Sequence, residues 1–178
     1  DNYFRQAHEL GRDPVPGLAL LRLAQGRKGS ARALLERALS DPYRSRLDRA
    51  RLLPAQAEVA YASSATDTIR AAAEELATIA EAYGSPALAA RAAFARGLVE
   101  LGEGQPAAAA ATLRRAWKLA KDSDLPYEAA RTRVLLGQAY RACGNTEDAE
   151  LELQAAAVSF ERLGATADAQ SATALLEG

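Results

Sequence analysis

Arg51, Arg91 and Arg131 stand at intervals of forty residues, and a guanidinium repeated at one spacing is suited to gripping carboxylates or phosphates in its planar fork. The rest of the sequence offers little reactive chemistry. His8 is the only histidine and Cys143 the only cysteine, whereas a zinc site or an imidazole-activated thiol needs several such groups together. His8 therefore reads as a structural or surface residue, and Cys143, just ahead of Gly144, as an inert thiol at a helix end. Gly102-Glu103-Gly104 carries an acid that would repel a phosphate, and no glycine-rich phosphate loop occurs elsewhere. Glu74-Glu75 and Glu147-Asp148 are adjacent in sequence, and adjacent helical side chains diverge by about 100°, so neither is an acid–base dyad. Arg114-Arg115 and the Arg44, Arg46 pair lack interleaved aromatics and read as solvated faces. The expectation is a chain without catalysis, cofactor or metal.

The elements that would position the arginines follow from composition. The 178 residues include 44 alanines against one Trp, six Tyr and three Phe, a balance that favours helix over strand. The length fits one domain, 1–178, burying roughly 70% of its unfolded surface. Charged residues make up 25% and the net charge is −1, which argues against disorder and gives no electrostatic footprint for nucleic acid or a membrane surface. The longest uncharged stretch, Gly104 to Leu113, is ten residues, half of what a membrane helix needs. A lone Cys requires no oxidising compartment, so a cytoplasmic location is expected. The start Asp1-Asn2-Tyr3-Phe4-Arg5 has no signal-peptide pattern, and with no Met in the chain the sequence reads as a piece of a longer protein.

Self-similarity organises the chain. Gly84-Ser85-Pro86-Ala87-Leu88-Ala89-Ala90-Arg91 precedes Asp124-Leu125-Pro126-Tyr127-Glu128-Ala129-Ala130-Arg131 by forty residues, and the same offset relates Gly97 to Gly137, Gly104 to Gly144, Ala109 to Ala149, Leu113 to Leu153 and Ala116 to Ala156. Forty residues earlier stands Arg46-Leu47-Asp48-Arg49-Ala50-Arg51, with Ala57 in place of the glycines, and a fainter copy begins near Pro14 at a spacing of 38. Copies of about 12–44, 45–84, 85–124 and 125–164, with 165–178 as a terminal helix, each read as a helical hairpin. Pro86, Pro106 and Pro126 suit first helical turns; Gly84, Gly144 and Gly164 suit left-handed C-terminal caps; Asn145-Thr146-Glu147-Asp148 supplies an N-cap. These signals predict helices over 14–25, 30–40, 46–62, 66–83, 86–101, 106–121, 126–142, 146–163 and 166–176, with 1–10 as the second helix of a preceding copy. Gly97, Gly137 and Ala57 would face Ala109, Ala149 and Ile69, allowing close helix approach. Leu113 and Leu153, with Ala116, Ala156 and Leu76, would pack on the next copy.

Leu136-Gly137-Gln138-Ala139-Tyr140, followed by Gly144, Ala149, Leu153 and Ala156, resembles one tetratricopeptide repeat, and Arg96-Gly97, Gly104, Ala109, Leu113 and Ala116 resemble another. The period near forty also suits a HEAT-like pairing; the Leu-Gly-x-x-Tyr pattern favours the tetratricopeptide type. A narrower resemblance rests on phrases in order along the chain. They are Ala7-His8-Glu9-Leu10-Gly11-Arg12-Asp13-Pro14-Val15-Pro16-Gly17-Leu18-Ala19-Leu20-Leu21-Arg22-Leu23-Ala24-Gln25-Gly26, then Arg49-Ala50-Arg51-Leu52-Leu53-Pro54-Ala55-Gln56-Ala57-Glu58, then Tyr83-Gly84-Ser85-Pro86-Ala87-Leu88. Pro126-Tyr127-Glu128-Ala129-Ala130-Arg131 and Phe160-Glu161-Arg162-Leu163-Gly164-Ala165 follow. Together they resemble the helical-repeat segment of actinobacterial LuxR-type transcriptional regulators. The resemblance implies a regulatory and protein-interaction segment, with DNA bound only through a helix-turn-helix outside this chain. A general protein–protein adaptor and a small-ligand sensor are the alternatives.

The expected fold is all-α: a right-handed, tetratricopeptide-like superhelix of about four hairpins plus a capping helix. First helices of such a solenoid line its concave side, which stacks Arg51, Arg91 and Arg131 into a ladder. Glu58, Tyr61, Phe94, Leu98, Gln138 and Arg141 fall on the same face. A groove of this kind suits an acidic peptide, a small anion or self-association. The alternative is that each arginine pairs with an acid on a neighbouring helix, such as Glu58 or Glu128, and ties the repeats together.

Overall fold

From Ser64 onward a residue with left-handed backbone recurs every twenty positions: Ser64, Gly84, Gly104, Asp124, Gly144 and Gly164, with φ between 54° and 79°. Each reverses the chain at the end of one helix, and the helix after it starts on the same count. The computed structural model describes residues 14–177. It contains, among those residues, nine α-helices and no strand: α1 (Gly17–Ala24), α2 (Lys28–Leu39), α3 (Arg46–Tyr61), α4 (Thr66–Tyr83), α5 (Pro86–Gly102), α6 (Pro106–Asp122), α7 (Pro126–Ala142), α8 (Thr146–Arg162) and α9 (Thr166–Leu176).

The turns close as the sequence leads one to expect. The N–H of Gln105 donates to the Glu100 carbonyl at 2.8 Å, and Ala65, Leu125, Asn145 and Ala165 repeat this six-residue bond, satisfying carbonyls that the helix ends leave open. Gly84 makes the shorter version, donating to the Ala80 carbonyl. Pro86, Pro106 and Pro126 each occupy the first helical position, and the Asn145 side chain accepts from the Asp148 N–H. One boundary differs by more than two residues. α1 begins at Gly17 rather than at Pro14, because Val15 precedes a proline and is thereby pushed out of the helical region. The expected helix over 1–10, and His8 within it, lie outside the described residues.

Successive helices pack antiparallel-neighbour fashion, and the odd-numbered helices also touch one another: α1 with α3, α3 with α5, α5 with α7. The even-numbered helices pack on the odd ones rather than on each other. The result is a two-layered helical-repeat superhelix with α1, α3, α5, α7 and α9 inside. The core between the layers is alanine-rich, with one large cluster running from α3 to α7 and smaller ones beside it and toward both ends. Within a hairpin the approach is set by glycine: a Cβ on Gly97 would stand 2.5 Å from Leu113 Cδ2, and one on Gly137 would stand 2.8 Å from Leu153 Cγ and 3.1 Å from the Ala149 carbonyl oxygen. The expected Gly137–Ala149 contact is thus present. Leu113 and Leu153 close over the glycines of their own hairpins, and Leu113, with Ala116, also shares a buried cluster with Leu135, Leu136 and Ala139 of the next copy's first helix, as expected.

On the outer side, arginines from inner helices strap the outer ones together. Arg49 of α3 forks onto the Glu75 carboxylate of α4, with one of the two bonds at 2.8 Å, and donates a third bond to the Leu39 carbonyl at the end of α2 at 2.7 Å. Arg133 of α7 reaches Glu152 of α8 at 3.2 Å and lies over the Trp117 ring of α6 at 4.7 Å. None of the helices is long and apolar enough to cross a membrane.

Candidate interaction groove

All five inner helices line one groove of about 520 Å³. α1 contributes Leu20 and Leu21, α3 Arg51 and Pro54, α5 Arg91 and Phe94, α7 Tyr127, Arg131 and Thr132, and α9 Asp168. The sequence puts these residues on one face because the forty-residue repeat returns each first helix to the same orientation. Four of the nine residues expected there, Arg51, Arg91, Phe94 and Arg131, line this groove, and Glu58 meets it through Arg131. Leu98 does not: it is fully buried in the core (0% exposed). Tyr61 packs on the same core beside Gly102. Gln138 and Arg141, half-buried on α7, lie outside the groove lining.

The three arginines have three different environments. Arg91 pairs with Glu128 of α7 at 3.3 Å. Arg131 reaches back across two hairpins to an ion pair with Glu58 of α3, both side chains largely buried at 15% and 19% exposed. Its guanidinium also lies over the rings of Phe94 and Tyr127, 5.2 and 5.8 Å from their centroids, a cation–π geometry. Arg51 is exposed and has no ion-pair partner among the described residues. Two of the three arginines therefore tie inner helices together, and one stands free at the groove edge.

Burial sets the electrostatics. It pushes the Glu58 carboxyl above its usual range, with Arg131 pulling the other way and nearby Asp168 adding to the rise. Burial also opposes the charge on Arg131, but Glu58 and Tyr127 outweigh it and raise its pKa further. Tyr127 donates its hydroxyl to Asp168 at 3.2 Å. Burial, opposed by Arg131 and reinforced by Asp168 and Glu58, pushes that phenol up to about 12. Chemically the groove offers, among the described residues, apolar surface, one free cation and a closed charge network.

Tyr127, Thr132 and Asp168 are groove residues that the sequence expectations omit. Asp168 had a signal: it stands forty residues after Glu128, the partner of Arg91, so the repeat itself marks it as the next acid of the ladder. Tyr127 stands one helical turn before Arg131, on the same face. Elsewhere, Cys143 is exposed at the α7 C-cap. Among the described residues no three His, Cys, Asp or Glu side chains come together in a way that could hold a metal ion.

No protein-family model matches the chain, and no curated protein matches it either.

Proposed function

We propose that this chain is the helical-repeat regulatory and interaction segment of a LuxR-type transcriptional regulator, acting in the cytoplasm by binding a partner rather than by catalysis. The observation that carries the reading is the convergence of five inner helices on one groove with apolar walls and a free arginine at its edge. Extended or helical peptide segments bind such surfaces through apolar anchors and a charge that fixes their orientation. A groove shared by all the hairpins also couples a partner to the curvature of the superhelix, so occupancy would change how a DNA-binding module linked to it is presented. DNA is touched only by that module.

The gene beyond the Gly178 codon is the direct test. A helix-turn-helix pattern within roughly the next 100 residues, the length of one small domain, supports the regulator. A stop codon there removes that reading and leaves a general protein–protein adaptor.

A further inference from the structure

The outer layer has a second hollow, about 690 Å³, between α4 and α6 with the back of α5 as its floor. Its chemistry is explained by comparing copies. The flanking hollow over α3 is bridged by Arg49, and the one over α7 by Arg133 together with Trp117 and Glu152. Forty residues from Arg49 and Arg133, the floor of the middle hollow carries Ala89 and Ala93. In the same way Ala77 stands for Trp117, and Thr112 for Glu152. The only arginine on this part of the floor, Arg96, pairs along its own helix with Glu100 at 2.9 Å and bridges nothing. Arg49, Arg133, Trp117 and Glu152 thus all have shorter counterparts here, and the counterpart of Glu75, the acid that receives Arg49, is Arg115.

The rims of the hollow carry opposite charge. Glu74 and Glu81, seven residues apart on the α4 rim, are exposed and have no ion-pair partner among the described residues. Arg115 on the α6 rim is likewise exposed and unpaired. The hollow runs along α4 from Arg70 to Gly84, about 20 Å at the helical rise, which is four turns of a partner helix.

From this we propose that the middle hollow is a docking site for an amphipathic helix of a partner protein. The helix supplies the aromatic side chain missing at Ala77, over the space that Ala93 leaves, with basic residues toward Glu74 and Glu81 and an acid toward Arg115. The site faces away from the inner groove and does not depend on the function proposed for that groove.

The test uses the whole chain and a labelled, alanine-based sixteen-residue helical peptide with one central Trp, two Lys on one flank and one Glu on the other. Fluorescence anisotropy should show saturable binding, weakened at least about tenfold when the peptide Trp becomes Ala, as for an anchoring aromatic. The triple substitution Ala77→Trp, Ala93→Arg, Thr112→Glu installs the neighbouring stack and should weaken binding by a similar factor. Glu74→Lys with Glu81→Lys, both on exposed positions and so safe for folding, should do the same by reversing the rim. Absence of saturable binding, or binding equal to wild type in the doubly charge-reversed chain, overturns the proposal. So does binding that is lost on Arg51→Ala, because the peptide would then occupy the inner groove.

Discussion

Arg131 holds together groups from three inner helices: a carboxylate from α3, a ring from α5 and a ring from its own α7. Removing one member of a buried ion pair leaves the other desolvated and alone, which costs about 3–5 kcal/mol for fully buried pairs; with partial exposure here, about 2–3 kcal/mol is expected for Arg131→Ala. Arg51→Ala, by contrast, should leave the melting temperature within a degree or so, since an exposed residue without a partner contributes within about 0.5 kcal/mol. Urea denaturation of the two variants side by side checks this, and equal losses would mean that the ladder is not divided as described. Tyr127 makes a pH prediction. Its phenol ionises near 10 when unfolded and at about 12 when folded, so its contribution is intact below pH 10 and is lost as pH rises toward 12. About 1–2 kcal/mol of stability should disappear over that window after allowance for partial exposure. Tyr127→Phe should flatten the step; the same alkaline slope in both proteins would contradict it.

At the scale of the helix and its turn, the twenty-residue unit explains which parts were legible. Pro86, Pro106, Pro126 and the capping glycines mark boundaries by local backbone preference, so nearly every helix end could be read from sequence to within two residues. Side-chain partners across the groove were legible only in part: Glu58 and Glu128 stood out as candidate acids, but the match of Arg131 with Glu58 did not, because the two lie 73 apart in sequence and a periodic pattern supplies only nearest-copy pairings. Leu98 shows the converse failure: position on an inner helix does not say which face of that helix the next hairpin will cover. Ser64 and Asp124 occupy the turn position that glycine holds elsewhere, at φ 54° in both. A side chain in that region costs roughly 1 kcal/mol, so Ser64→Gly and Asp124→Gly should each raise stability by about 0.5–1 kcal/mol, measurable as a higher urea midpoint. The hairpin interior makes the opposite demand. Gly137→Leu forces a side chain into the Leu153 and Ala149 contact and should cost about 3 kcal/mol or more; an unchanged melting temperature would refute the close approach. The α3–α4 hairpin solves the same problem differently, placing Ala57, Ile69 and Ala73 where later copies place glycine, alanine and leucine, so that the large side chain sits one turn earlier on the outer helix.

In the whole molecule, most contacts join neighbouring helices, and stability in such arrays approximates a sum of unit and neighbour terms. The Glu58–Arg131 pair departs from that sum, because it makes α3 and α7 depend on each other with α5 between them. A double-mutant cycle on Glu58→Gln and Arg131→Gln should therefore show coupling of about 1 kcal/mol or more, where additive behaviour is expected for residues so far apart in a solenoid. Additivity would reduce the pair to a surface contact. The overall class was legible because the repeat is exact in number, while the groove's closure was not, because curvature is a property of all the hairpins together. The twenty-residue pitch also gives the chain a parity. Inner and outer helices alternate along it, so losing an even number of units, such as residues 106–145, returns α9 to the inside with its acid still facing the groove. Losing one unit, residues 106–125, turns every later helix inside out and puts Arg131 and Tyr127 on the outer surface. The chain can lengthen or shorten by pairs of helices and keep its two layers in order, whereas a single-helix event exchanges inside for outside in everything that follows.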